Sequence, residues 1–242
     1  MTVGKDLAKR FGLEEEPDLR PRYNIAPTQM VAVIRIDRDT LQRRLVLVKW
    51  GLIPFWAKDI SIGHKLINAR GETAAEKPAF RAAFKSRRCL VPADGYYEWK
   101  KRKEGQKQPY LARNADGTPF AFAGLWEKWR APEDQIIESC TILTTDANDL
   151  TQPIHDRMPV ILKPEDYDLW LDTEVRDPNL LKPLLCPYSS EEMIVQPVSP
   201  KVNKVTYDAA DCVEAVLVKE EAYELYPNTT VNFSPVFATA PN

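Results

Sequence analysis

The sequence predicts an α+β fold: a single domain built mainly on antiparallel β-sheet, partly closed into a barrel, with peripheral helices. Three observations lead there. Short apolar runs, several of them alternating, recur along the chain and are separated by turn residues rather than long helices. No internal repeat and no linker long enough to divide the chain is present. With 242 residues, 44% of them hydrophobic, the chain is large enough to bury one sizeable core.

The elements follow in order. Residues 5–13 have helical spacing, with Leu7, Ala8 and Phe11 on one side. Residues 17–29 hold three prolines and read as an irregular, extended connection. Residues 30–36 and 41–50 read as two strands, the second alternating around Leu45 and Leu47. Residues 51–64, with Gly, Pro and Trp, read as a loop. Residues 73–84 read as two short helical turns interrupted at Pro78. Strand-like runs then cover 89–92, 96–101, 109–112, 120–129 and 138–145, with Asn114-Ala115-Asp116-Gly117 as a hairpin turn between two of them. Thr145 or Asp146 is placed to cap a short helix before Pro153. Residues 164–171 read as a helix with Pro early, and 179–185 as a further helical stretch despite Pro183. The domain is expected over residues 1–226, followed by a flexible, Pro/Asn/Thr-rich tail at 227–242.

Composition narrows the function. The formal charge of −2 does not announce a nucleic-acid binder, although residues 85–88 and 100–103 form basic runs flanking a cluster at 94–99. No apolar run approaches the ~20 residues of a membrane span, and the start lacks the apolar stretch of a signal peptide. The expected location is the cytoplasm, with no membrane partner. Cys89, Cys140, Cys186 and Cys212 are widely spaced, without a C-x-x-C pair, so no metal site is expected and the thiols read as reduced. No cofactor is implied.

Three polar clusters carry the chemistry. Asn68 lies in Ile67-Asn68-Ala69-Arg70, where it reads either as a turn or strand-end cap or as a site amide; Arg70 reads as an ion-pair partner or a phosphate ligand. Glu98 lies between Tyr97 and Trp99. On an alternating strand it is either an exposed carboxylate or one whose pKa is raised among aromatics, as a general acid or base requires. His155, one of only two histidines, follows Pro153-Ile154 and reads as a loop-closing histidine or a proton shuttle. Trp50, Pro54 and Trp56 lie in one aromatic segment, which reads as a core plug or as a wedge for unpaired bases. Arg22 and Asn24, near Pro27, could join a phosphate-binding surface.

Taken in series, six segments form a pattern: Arg22-Tyr23-Asn24-Ile25-Ala26-Pro27-Thr28, Trp50-Gly51-Leu52-Ile53-Pro54, Ile67-Asn68-Ala69-Arg70, Asp94-Gly95-Tyr96-Tyr97-Glu98-Trp99, Ile154-His155-Asp156-Arg157-Met158-Pro159 and Pro197-Val198-Ser199. The pattern resembles the SRAP family, named for SOS-response-associated peptidases, from about Lys5 to about Val216. The resemblance implies a β-rich domain that binds single-stranded DNA containing abasic sites; a monomer is expected. It implies an N-terminal cysteine whose α-amine condenses with the ring-opened sugar aldehyde and whose thiol closes a thiazolidine, together with removal of a short leader. Asn68, Glu98 and His155 match the residues at the reaction centre. Arg22, Asn24, Pro27, Trp50, Pro54, Trp56, Arg70, Arg87 and Arg157 are the residues expected to touch DNA. The departure lies at the start: family members begin Met-Cys-Gly-Arg, whereas this chain begins Met1-Thr2-Val3 and has no cysteine before Cys89. The expectation is that the natural start lies upstream and that the chain as written binds DNA without forming the cross-link. The alternatives are a noncovalent single-stranded-DNA module, or a cysteine peptidase using an internal cysteine beside His155.

Overall fold

The apolar run Met30–Ile36 (β1) and the alternating Arg43–Trp50 (β2) form a fully paired antiparallel hairpin, registered from Met30 opposite Lys49 to Ile36 opposite Arg43. It opens a closed circuit of strands in the computed structural model, which describes residues 2, 4–102, 105–132 and 134–218. The circuit continues through Arg88–Ala93 (β4), Phe120–Arg130 (β7) and Ile136–Asp146 (β8). Strand β1 pairs with β4, β4 with β7 and β7 with β8, all antiparallel; β8 then returns to β2 in parallel, Lys49 opposite Ser139 and Trp50 opposite Cys140. The expected partly closed barrel is therefore a closed five-strand barrel, which leaves these strands no open edge.

Period-2 alternation sorts the barrel residues into two cores. Val33, Val48, Cys89, Val91, Cys140 and Ile142 fill the interior. Gly124 is required there, because a Cβ would lie 2.9 Å from both Cys89 Sγ and Val91 Cγ2. The alternate residues, including Ile34, Leu90, Ala123, Leu125 and Leu143, face outward under the helices Gly4–Phe11 (α1), Arg81–Ser86 (α3) and Tyr167–Leu171 (α4). Arg88, only 3% exposed, joins two of these helices. Its guanidinium donates to the carbonyls of Phe84 (2.8 Å), Lys85 (2.9 Å), Trp170 (2.6 Å) and Asp172, satisfying the ends of α3 and α4.

A second sheet carries site residues. Tyr96–Lys100 (β5) pairs with Gln108–Asn114 (β6), which pairs with Met193–Pro197 (β11). Short strands extend the barrel: Asn68–Arg70 (β3) runs parallel to β8, Arg157–Pro159 (β9) pairs with the end of β8, and Ile161–Leu162 (β10) with β7. Helices Gly71–Ala74 (α2) and Pro178–Leu181 (α5) complete the set.

Several expectations are corrected. The turn at 114–117 forms, with Gly117 at φ +74°, but β6 and β7 enter different sheets and make no hairpin. No helix precedes Pro153: Thr145 and Asp146 end β8, and a hydrogen-bonded turn follows. The 51–64 segment contains a 3₁₀ turn, Ile60–Lys65, capped by Asp59 accepting from Ser61 N at 2.6 Å. Strand β11 had no counterpart among the strands expected from pattern. The tail at 227–242 lies outside the described residues.

Candidate nucleic-acid interface and proton-transfer site

The segment leaving β2 builds a groove. Gly51, at φ +129°, approaches Gly63 so closely that a Cβ on Gly51 would lie 2.6 Å from the Gly63 carbonyl oxygen. This contact tucks Leu52, Ile53 and Pro54 inside and presents Phe55 and Trp56 outward, 60% and 49% exposed. The Trp50 indole donates to the Ile67 carbonyl at 2.9 Å, fixing the residue ahead of Asn68. Trp56, Lys65, Asn68, Arg70 and Lys77 then line an open groove of about 490 Å³. A neighbouring groove of about 430 Å³ shares Trp56 and Lys65 and adds Lys58. None of these four cations is ion-paired with another described residue. An exposed indole among unpaired cations offers a base a stacking face and a phosphate backbone its counter-charge.

Glu98 is set by strand β5. Tyr97 and Trp99 point to one side, where the Tyr97 hydroxyl donates to the Tyr23 carbonyl (2.7 Å) and the Trp99 indole to Asn203 Oδ1 (2.7 Å). Glu98 and buried Tyr96 point to the other. Burial pushes the Glu98 carboxyl above its ordinary range; the charge of His155, the Trp99 N–H and Lys107 oppose the rise, and Asp156 reinforces it. The carboxyl and the imidazole therefore lie within one another's field.

His155 is held by the turn after β8. Buried Asn148 accepts from Thr151 N (3.0 Å) and Thr151 Oγ1 (2.9 Å), and its amide donates to the Tyr188 carbonyl (2.8 Å). The His155 N–H donates to the Thr151 carbonyl at 3.1 Å. Beyond it, the Arg157 guanidinium forks onto Glu72 (2.8 and 2.9 Å) and also reaches Asp146 Oδ1 (2.6 Å).

The expected site residues thus fall into groups. Trp56, Asn68 and Arg70 share the groove; Glu98 and His155 share an electrostatic environment; Arg157 adjoins His155 but is neutralised by two carboxylates. Pro27 is exposed beside Thr28, whose φ is 75°. The others serve internal contacts. Arg22 pairs with Asp208 and donates to Gln29 Oε1 (2.8 Å), and the buried Asn24 amide donates to the Val202 and Tyr207 carbonyls. Pro54 is buried, Trp50 is occupied by Ile67, and Arg87 pairs with Glu127 at 2.7 Å. Lys58, Lys65 and Lys77 were not anticipated from the sequence; their only signal was basic residues on either side of an exposed aromatic loop. Asp94 was not anticipated either: its Oδ1 accepts from Thr2 N at 2.9 Å and Thr2 Oγ1 at 2.5 Å.

Among the cysteines, Cys89, Cys140 and Cys212 are buried, and burial raises the Cys89 thiol and pushes Cys140 up to about 12. Cys186 is exposed and forms no hydrogen bond with His155 among the described residues. No helix among the described residues is long and apolar enough to cross a membrane.

The family model for SOS response associated peptidase (SRAP) matches residues 2–205. The chain belongs to the SRAP family. Among SRAP relatives, abasic site processing protein YoqW of Bacillus subtilis (strain 168) is 43% identical over 213 residues, covering 87% of this chain and 94% of that protein. Abasic site processing protein HMCES of Xenopus tropicalis is 32% identical over 232 residues, covering 84% and 68%. A solved structure of a Bacteroides thetaiotaomicron protein matches with a TM-score of 0.71 at 30% identity, covering 78% of this chain and 82% of that one. One from Bordetella bronchiseptica matches with a TM-score of 0.71 at 29% identity, covering 82% and 97%. The SRAP fold therefore extends across the barrel, the groove and the His155 turn.

Proposed function

We propose that this SRAP protein recognises abasic sites in single-stranded DNA and that Glu98 and His155 move protons at the damaged sugar. The observation that carries this reading is the Glu98 carboxyl, held above its ordinary range by burial and facing the charge of His155. It occurs in a chain whose relatives are named abasic site processing proteins. An abasic deoxyribose opens to an aldehyde when its ring oxygen gains a proton and its anomeric hydroxyl loses one. A carboxyl raised by burial, with an imidazole in its field, suits that exchange. Trp56 offers a stacking face, Lys65, Arg70 and Lys77 counter the phosphates, and Asn68 offers its amide to the sugar. The reading takes the protein as a monomer.

In the family scheme, covalent capture requires an amine and a thiol on adjacent carbons of one N-terminal cysteine. No cysteine precedes Cys89 in this sequence, and Cys89 is fully buried. Recognition and proton handling are assigned to the groove residues, Glu98 and His155.

The test is fluorescence anisotropy with one labelled oligonucleotide in three forms: single-stranded with one abasic site, single-stranded and intact, and duplex. The proposal expects the abasic strand to bind most tightly. Tighter binding to duplex would overturn it. Equal binding of the two single strands would favour the second reading, a noncovalent single-stranded-DNA module, which the exposed Trp56 among unpaired cations supports.

A further inference from the structure

We propose that Glu72 is a positioning residue for His155, acting through Arg157; this rests on the reading of His155 as a proton-transfer group. Glu72 is the second residue of α2, directly after the strand that carries Asn68 and Arg70. Gly71 lets α2 approach β8: a Cβ there would lie 3.3 Å from the Thr144 carbonyl oxygen and from Leu185 Cβ. From this position both Glu72 oxygens reach one guanidinium, Oε1 to Nη1 at 2.8 Å and Oε2 to Nη2 at 2.9 Å. Asp146 takes a second bond from Nη1 at 2.6 Å, and the Thr144 carbonyl one from Nη2 at 2.8 Å. A planar fork tied at four points cannot swing without breaking charge-assisted bonds.

The main chain of the same arginine brackets the imidazole. The Arg157 N–H lies 3.1 Å from His155 Nδ1, and the Arg157 carbonyl oxygen lies 3.2 Å from it. Asp156 Oδ1 lies at 3.4 Å. Neutral Nδ1 therefore accepts from the Arg157 N–H, and protonated Nδ1 donates to the carbonyl oxygen beside it. Nδ1 is engaged in either state, whereas Nε2 has no hydrogen-bond partner among the described residues. The proton open to exchange with a ligand is thus the one on Nε2, and the position of the Arg157 peptide decides this. Asp156 lies beside Nδ1, and Glu98 shares a field with the imidazole, with Lys107 and Asp156 also acting on that carboxyl. Glu72 supplies the two-point half of the grip and is less exposed than Asp146, 47% against 82%. Its loss should release the peptide more fully.

Only two histidines occur in the chain, so replacing the other, His64→Gln, leaves His155 as the single imidazole to observe. Ring-¹⁵N NMR of that protein across a pH series reads the tautomer directly. The expected spectrum at high pH is one neutral form, protonated at Nε2. Glu72→Gln should move both nitrogens toward the averaged shifts of an exchanging mixture. Asp146→Asn should do the same to a smaller extent, and it keeps the test open if Glu72→Gln fails to fold. Glu72→Asp, which retains the charge, should recover part of the native pattern. Asp168→Asn breaks the exposed Arg43 ion pair elsewhere and should change nothing. Native ¹⁵N shifts in both Glu72→Gln and Asp146→Asn would overturn the proposal. A shifted tautomer in a protein that shows no preference for abasic strands would sink the functional reading alone and leave this one standing.

Discussion

The indole of Trp50 donates to the Ile67 carbonyl across 2.9 Å, and this bond ties the end of β2 to the residue preceding Asn68. The backbone of Trp50 is also fixed, its N–H on the Gln29 carbonyl at 2.9 Å and its own carbonyl on Thr28 N at 2.7 Å. A barrel strand thus sets the position of a groove residue. Trp50→Phe keeps an aromatic ring and deletes the donor. It should cost about 1 kcal/mol of stability and weaken abasic-strand binding about fivefold, read by thermal melting and by anisotropy.

Trp56 should behave in the opposite way. Its side chain is 49% exposed and supports little of the core, so Trp56→Ala should leave the melting temperature nearly unchanged. Losing a stacking face worth about 1–3 kcal/mol should reduce affinity for single strands by about 5- to 150-fold. A large fall in melting temperature without loss of affinity would assign Trp56 to packing instead.

The groove cations predict a salt dependence. Replacing Lys65 or Lys77 with Gln should reduce the slope of log affinity against log salt by about 0.7 each if either residue meets a phosphate. Unchanged slopes in both variants would place the strand elsewhere.

Glu98 makes a prediction about pH. Burial raises its folded pKa above the unfolded value, so the native state binds this proton more tightly. Its contribution is favourable below the unfolded carboxylate range and is lost as pH rises through the folded pKa. Glu98→Gln should therefore melt at an equal or higher temperature than the native protein at pH 7, while losing the response to abasic DNA. A variant that is destabilised at pH 7 but keeps that response would show a structural carboxylate.

Arg88 tests the fold separately from the site. Arg88→Met retains much of the volume but abandons the four carbonyls at the ends of α3 and α4. Stability should fall by about 3 kcal/mol, measured by urea unfolding, with abasic-strand affinity preserved at temperatures where the variant remains folded.

Much of this was legible in the sequence where local pattern and tertiary role coincide. Strand β1 falls on the apolar run read as a strand at 30–36, and of the two readings open for Glu98 the buried one, among its aromatic neighbours, is what the fold gives. Barrel closure was not legible, because the parallel contact of Trp50 with Cys140 joins residues 90 positions apart. Strand β11 was missed because Met193–Pro197 is short and only half-buried, and gains its strand character from pairing with β6. The helix expected before Pro153 lost to Asn148, whose side chain satisfies Thr151 and folds the segment into a turn. Arg22 and Arg87 looked available for phosphates because their carboxylate partners, Asp208 and Glu127, are remote in sequence.

Whether Glu98 moves protons at the damaged sugar is read most directly on a denaturing gel after incubation with single-stranded DNA bearing one abasic site. It would compare the chain as given, the chain extended at its N-terminus to begin with a family Met-Cys-Gly-Arg segment, and the extended chain carrying Glu98→Gln. A heat-stable shifted band is expected for the extended chain, none for the chain as given, and little or none for the Glu98→Gln form. An extended chain that binds the strand but never shifts it, or a Glu98→Gln form that shifts it equally well, would remove Glu98 and His155 from the chemistry.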